Sequence, residues 1–189
     1  HGALATKVRV DSGVEPLEDP ETTQREVARI LAAINATHAT DVVLGEKDFE
    51  VLVATQFAVS GLRMECKLHS VPTVRTPDGL ALSNRNARVA VDKRDAALAL
   101  SAALTAGAHA AEHGKAKVLE TARGVLKAAG VEPAYLELRD LAMREAPVEG
   151  DARLLAAVDL GGVRLTDNVG LPLGVGFKHV EALSPIHIS

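Results

Sequence analysis

Gly45-Glu46-Lys47-Asp48 gathers the ingredients of an anion site into one short turn. A glycine lets a ligand approach the backbone, and a helix beginning just beyond it turns free N–H groups toward negative charge. Lys47 adds a point charge suited to phosphate, and Asp48 offers oxygens to a ribose hydroxyl. A second group lies further along: Ser83-Asn84-Arg85-Asn86, with Arg75 and Arg88 close in sequence. Hydroxyl, amide and guanidinium groups on a mobile loop are suited to closing over a triphosphate. Together the two groups point to a nucleotide held between two lobes. A polar loop with three arginines is more often a solvated surface, and on pattern alone that plainer reading stays ahead.

Other residues invite chemistry less strongly. His109-Ala110-Ala111-Glu112-His113 matches the H-x-x-E-H zinc pattern with both histidines on one predicted helix face. No third ligand accompanies it, and its surroundings read as an Ala-rich amphipathic helix. Cys66, in a predicted strand, reads as a small buried apolar residue, since a reactive thiol needs an electropositive, exposed setting. Glu137, Arg139 and Asp140 read as a structural ion-pair set, and His179 and His187 fall in a tail without a predicted element.

The elements that must position these groups can be read from periodicity. Asp41-Val42-Val43-Leu44 is a short apolar run that reads as a buried parallel strand ending at Gly45. A helix is predicted over 46–60, with Asp48 in its first turn and Gly61 just past its end. Met64 to Val71 supplies a second strand, which completes a βαβ unit. Ligands of such units bind beyond the C-terminal ends of the strands. Residues 45–48 sit at one such end, and Pro72-Thr73-Val74-Arg75 follow the other. Upstream, the alternation of Lys7-Val8-Arg9-Val10 predicts a short strand. Asp19-Pro20 starts a helix over 21–36 whose Val27, Ile30, Leu31 and Ile34 recur at helical spacing. After a polar loop over 76–90 with the turn Pro77-Asp78-Gly79, helices are predicted over 92–113 and 115–129, stopped by Gly130. Strands follow over 134–138, 152–160 and 163–167, the last two joined by the hairpin signal Gly161-Gly162. The fold class is α/β: a βαβ unit in residues 1–73, a small α/β part with helices and an antiparallel hairpin sheet in 74–176, and a tail over 177–189.

Composition narrows the function classes. Hydrophobic residues make up 47% of the 189 and charged residues 24%, enough for a packed core. With 2% aromatic residues and no Trp, that core must be Ala, Val, Leu and Ile. The net charge of −4 gives none of the basic excess of a nucleic-acid binder, and stacking aromatics are missing too. The longest apolar stretch, Ala96 to Ala111, is interrupted by Ser101, Thr105 and His109 and does not suit a membrane span. No signal peptide is visible, and one cysteine permits no intrachain disulfide, which fits a reducing cytoplasm.

Four stretches carry a resemblance: LGEKDFEVL at 44–52, VPTVRTPDGLALSNRN at 71–86, YLELRDL at 135–141 and RLLAAVDLGGVRLTDN at 153–168. In order and spacing, over residues 42–176, they resemble the C-terminal half of the pantothenate synthetases, adenylate-forming ligases related to class I aminoacyl-tRNA synthetases. The resemblance implies a truncated Rossmann-like nucleotide-binding part in 1–73 and a C-terminal α/β lid domain in 74–176. It implies the use of ATP and Mg to activate pantoate as an acyl adenylate, which the amine of β-alanine then attacks. Carried over residue by residue, Gly45, Glu46, Lys47 and Asp48 would line the ATP site, with Lys47 on phosphate and Asp48 on ribose. Val74 would meet adenine through its backbone, and Leu82, Ser83, Asn84 and Arg85 would form the mobile phosphate loop. Lys47 and Arg85 would be the catalytic cations.

The sequence also departs from that family. Its HxGH-type motif does not occur here, Val51 stands where a pantoate-binding Gln is expected, and Thr22-Thr23-Gln24-Arg25 replaces a His-Phe-x-Gly run. Asp19 falls where a basic residue is expected. Two other readings therefore stand beside the ligase: a non-catalytic nucleotide-binding or interaction module, and a scaffold whose open sheet edge pairs with a second copy (a dimer, for instance) or a partner domain.

Overall fold

The computed structural model describes residues 7–176. Helix α1 spans Pro20–Thr37. Asp19 caps it by accepting from the Thr22 N–H at 3.0 Å, and Pro20 takes the first helical position, where its missing N–H costs nothing. The chain then forms β1 (Asp41–Gly45), a 3₁₀ turn (Glu46–Asp48), α2 (Phe49–Gly61) and β2 (Lys67–Val71). β1 and β2 pair in parallel, Val42 opposite Leu68 and Gly45 opposite Val71, so this is a βαβ unit with α2 as the crossover. α1 and α2 bury Val27, Leu31 and Ile34 against Ala54, Ala58 and Val59.

The second half is built differently. Helices α3 (Arg94–His109) and α4 (Gly114–Ala128) pack on an antiparallel sheet of β3 (Pro133–Arg139), β4 (Gly150–Leu160) and β5 (Val163–Leu173), ordered β3-β4-β5. Gly161 and Gly162 close the β4–β5 hairpin at φ +60 and +84; two positive φ values in succession are what a type I′ turn requires. The core is aliphatic, as the composition demands, with Leu100, Leu104, Val118, Leu126, Leu154 and Val158 among its buried side chains. A further cluster of Phe49, Leu52, Val53, Met143 and Leu155 joins α2 to the other face of this sheet, which locks the two halves around the site described next.

Several expected elements take another form. Residues 7–10 form no strand; the segment is held by an ion pair of Arg9 with Glu21 and by Val10 against the α1–α2 cluster. β1 is not buried on both faces, because Val43 is 62% exposed. β2 starts at Lys67 and not at Met64: the Met64 N–H closes back on the Val59 carbonyl at the end of α2, which leaves Cys66 half-buried in the turn before the strand. The helix predicted over 92–113 stops at His109, and a 3₁₀ turn over Ala111–His113 follows. His109 and His113 therefore share no α-helical face, and His113 pairs with Glu112 at 3.3 Å. Among the described residues no group of three or more His, Cys, Asp and Glu side chains could hold a metal ion, and no helix is long and apolar enough to cross a membrane. Of the ion-pair set, Arg139 meets Glu15 at 2.7 Å and Glu137 at 3.7 Å, whereas Asp140 pairs with Arg144. The tail over 177–189, with His179 and His187, lies outside the described residues.

Candidate active site

A cavity of about 390 Å³ opens between α1, the turn after β1 and the β3–β5 sheet. That is within the usual range for a small-molecule site. Gly45, Lys47, Asp48 and Arg85 all line it, together with Thr166, Asp167 and Asn168 of β5. Lys47 leaves the end of β1 on the 3₁₀ turn, so its position follows from where the strand ends. Its Nζ reaches Thr166 Oγ1 at 3.4 Å and Asp48 Oδ1 at 3.3 Å. Arg85 comes from the 3₁₀ turn Asn84–Arg88 and donates to the Arg164 carbonyl at 3.3 Å. Two cations remote in sequence thus face one cavity.

The other expected site residues lie elsewhere. Glu46 points away from the cavity, paired with Arg153 at 3.0 Å and accepting from the Ser70 hydroxyl at 3.0 Å. Burial pulls its carboxyl upward, but the hydrogen bond and charge of Arg153, with Ser70, outweigh that and hold it below the ordinary glutamate range. Val74 is 65% exposed and does not line the cavity; its carbonyl accepts from the Leu82 N–H at 2.9 Å. Leu82 and Asn84 are exposed and off the cavity wall. Ser83 caps the Arg85 turn, accepting from the Arg85 N–H at 3.1 Å, and lines a small adjoining pocket with Lys47 and Asn86. Arg75 does not face the cavity. It makes a bidentate pair with the 2% exposed Asp167, at 2.7 and 3.0 Å, and also binds Ser101 and the Gly79 carbonyl.

The opposite wall is apolar and acidic. Ile30, Leu44, Val51 and Leu155 supply the apolar part, and Glu18, Glu26 and Glu50 the carboxylates. Buried Glu50 accepts from the Leu17 and Glu18 N–H groups at 3.0 and 3.1 Å and from Thr23 Oγ1 at 3.2 Å, which fastens the segment before α1 to α2. Glu18 in turn pairs with Arg164 at 2.9 Å. Burial, and then the charge and hydrogen bond of Glu18, push the Tyr135 phenol far above its ordinary value, so it stays a protonated donor at any physiological pH.

Sequence reasoning missed Glu18, Glu50, Tyr135 and residues 166–168 as cavity residues. A signal existed for the last: Thr166-Asp167-Asn168 is a polar interruption in a strand that is otherwise mostly apolar. As a whole the cavity offers a polyanion a cationic end and offers an uncharged or amine-bearing group the rest.

A family model described as Pantoate-beta-alanine ligase matches residues 7–170. Over 159 residues the chain is 48% identical to the pantothenate synthetase of Corynebacterium jeikeium, a match covering 82% of this chain and 52% of that protein. The Saccharopolyspora erythraea pantothenate synthetase is 46% identical over 152 residues, covering 78% of this chain and 48% of its own length. The chain thus spans about half the length of the curated relatives it matches. The crystal structure of pantothenate synthetase from Thermus thermophilus aligns with a TM-score of 0.80 at 26% identity, over 89% of this chain and 64% of that one. A Francisella tularensis pantoate-beta-alanine ligase, complexed with Beta-gamma ATP and Beta-alanine, shares the fold at a TM-score of 0.60 and 20% identity, over 86% of this chain and 57% of that one.

Proposed function

The chain belongs to the pantoate-beta-alanine ligase family, and on that premise we propose that it supplies the nucleotide side of an ATP-dependent ligation of pantoate to β-alanine. A pantoate carboxylate oxygen bonds to the α-phosphorus of ATP as pyrophosphate leaves. The β-alanine amine then attacks the acyl carbon, loses a proton and releases AMP. In this reading Lys47 and Arg85 are the catalytic cations. They offset charge that builds on the phosphates, and fixed charges aimed at such a developing anion are among the strongest contributions to catalysis. Gly45 lets the phosphates approach the backbone, and Asp48 takes the ribose. The Val74 backbone meets adenine, and Leu82, Ser83, Asn84 and Arg85 close as a loop. Glu46 acts from behind, through Arg153. Mg, if bound with the triphosphate, would supply charge neutralisation on the phosphates beside Lys47 and Arg85. Residues 1–73 and 74–176 act as nucleotide-binding part and lid, in a reducing cytoplasm. The open β1–β2 pair is covered by a second copy or a partner domain; a clean monomer in concentrated sedimentation runs removes that part.

The observation that supports this reading is that Lys47 and Arg85 line the same cavity of about 390 Å³. Calorimetry with Mg-ATP and with pantoate, beside an AMP-formation assay, tests it. The expected outcome is ATP binding by the wild type, and AMP formation that needs both pantoate and β-alanine. Lys47→Met or Arg85→Ala lowers that rate about 100-fold or more. Absence of both ATP binding and AMP formation overturns the proposal. Val51 on the cavity wall favours a second reading, a nucleotide-binding module without an acyl-acid site, because a valine cannot donate to a carboxylate. ATP binding with no pantoate binding is its signature.

A further inference from the structure

Asp167 and Asn168 are consecutive on β5, and a strand sends consecutive side chains to opposite faces. Both are nearly inaccessible, at 2% and 4% exposure, and both are fully engaged. Asn168 faces the turn after β1. Its Nδ2 donates to the carbonyls of Glu46 at 3.0 Å and Lys47 at 2.8 Å, and its Oδ1 accepts from Arg153 at 2.6 Å. Arg153 itself reaches back to the Glu46 carboxylate at 3.0 Å. The Lys47 turn is therefore gripped from β5 through its backbone.

Asp167 faces the other way, toward α3 and the loop after β2. Its carboxylate takes Arg75 in a two-point pair and accepts from the Ser101 hydroxyl at 3.0 Å. Arg75 bridges to Ala81 as an isolated antiparallel pair and holds the Gly79 carbonyl at 3.2 Å. The Ala81 carbonyl then accepts from Asn86 Nδ2 at 2.9 Å, inside the turn that carries Arg85. One side chain of β5 thus anchors the Lys47 turn, and its neighbour anchors the base of the Arg85 loop.

We propose that the Asp167-Asn168 pair is the register element of the site: a pair of positioning residues that fix Lys47 and Arg85 relative to each other by holding their two backbones to adjacent residues of one strand. This rests on the phosphate-binding role proposed above for the two cations, but the grip itself can be measured without any nucleotide. Adjacent residues of one strand cannot move independently by much, so two loops hung on them keep a nearly constant separation. A cation pair held this way meets a polyphosphate without first being ordered, which is how preorganisation raises affinity.

Two measurements on the full chain decide it. The first is amide hydrogen exchange without ligand. Asn168→Ala should speed exchange at residues 45–48 about tenfold and leave residues 76–82 within twofold, because only the first set loses its partner. Asp167→Asn should do the reverse. Asn168→Asp keeps the acceptor for Arg153 and removes the Nδ2 donor, so it should match Asn168→Ala at 45–48. If either variant loosens both segments equally, or if Asn168→Asp leaves 45–48 protected, the proposal fails.

The second measurement compares Mg-ATP with adenosine, which carries no phosphate. Asn168→Ala should weaken Mg-ATP about tenfold and adenosine less than twofold. Combined with Lys47→Met it should cost little beyond Lys47→Met alone, since a misplaced lysine and a missing one are equivalent. Equal losses for the two ligands, or additive effects in the double variant, overturn it. A wild type that binds no ATP removes the nucleotide reading, and the exchange experiment alone then decides the register claim.

Discussion

The two sheets of this chain bury their strands to very different extents. Along β4, Ala152 through Val158 are all buried, because α3 and α4 cover one face and α2 with Met143 reaches the other. In the parallel pair, β1 alternates exposed and half-buried positions and β2 is exposed everywhere but at Leu68, which leaves Val43 62% and Val71 43% exposed. The site lies on the seam between them. Lys47 leaves the thin pair, and Asn168, which holds its backbone, belongs to the thick sheet. A group that must stay in place is thus tied to the part of the molecule that costs most to disturb, while the strand that delivers it remains accessible.

The sharpest way to break this contrast is to cut the thick sheet from the Arg85 loop. Arg75→Ala leaves Asp167, 2% exposed, without its cation, and only Ser101 and the Asn168 N–H remain as donors. Arg75 is 31% exposed, so removing it from this half-buried pair costs about 2–4 kcal/mol, less than for a fully buried one. Chemical denaturation should report a loss of that size. A loss below about 1 kcal/mol would mean the loop is not anchored there.

The next test works on the tie between the two sheets. Glu46→Gln keeps an amide oxygen for Arg153 but removes the charge, at a cost of about 1.5–3 kcal/mol at neutral pH. The Glu46 carboxyl is held below its ordinary range, so the folded chain binds that proton less readily than the unfolded one. Its contribution is therefore present above the ordinary glutamate value and is lost as pH falls through the lower folded value. Unfolding curves of wild type and variant should converge toward the acid end of that window. Parallel curves would show that the charge contributes nothing.

A third change probes the packing of the thick half alone. A Cβ on Gly107 would lie 2.7 Å from Leu154 Cδ2 and 3.1 Å from both Ala122 Cβ and the Val118 carbonyl. Alanine in place of a helical glycine ordinarily gains up to about 1 kcal/mol. Overpacking a filled core costs about 1–3 kcal/mol, and the backbone oxygen leaves little room to yield. Gly107→Ala should therefore lower Tm, whereas the same change at Gly124, whose Cβ would meet nothing within 4 Å, should raise it.

The sequence disclosed these two halves unequally, for physical reasons. The α1 start at Asp19-Pro20 and the Gly161-Gly162 hairpin depend on local chemistry, and local chemistry is written in adjacent residues. The alternation at 7–10 was equally clear but needed a neighbouring strand, which no local pattern can supply. The strand expected over 163–167 runs on to Leu173 through Gly170 and Pro172. Being the edge strand of the β3-β4-β5 order, it tolerates a missing N–H. At the site, Lys47 and Arg85 could be proposed from residue type and family resemblance. Asn168 could not, because its partners are backbone carbonyls that carry no signature in sequence.

The smallest expected effect is also the most direct test of the contrast. Val43→Thr exchanges a 62% exposed valine for a residue of similar shape and strand preference, so it should alter stability by less than about 0.5 kcal/mol. Val158→Thr makes the same exchange at a fully buried position of β4, where the new hydroxyl loses water and should cost more than about 1 kcal/mol. The ratio of the two, from paired denaturation curves, measures how far apart the sheets really are. If Val43→Thr proved as costly as Val158→Thr, the outer face of β1 would be covered in solution. Dilution would then separate the causes: a cost that vanishes on dilution belongs to a contact with another molecule, and one that persists belongs to the chain itself.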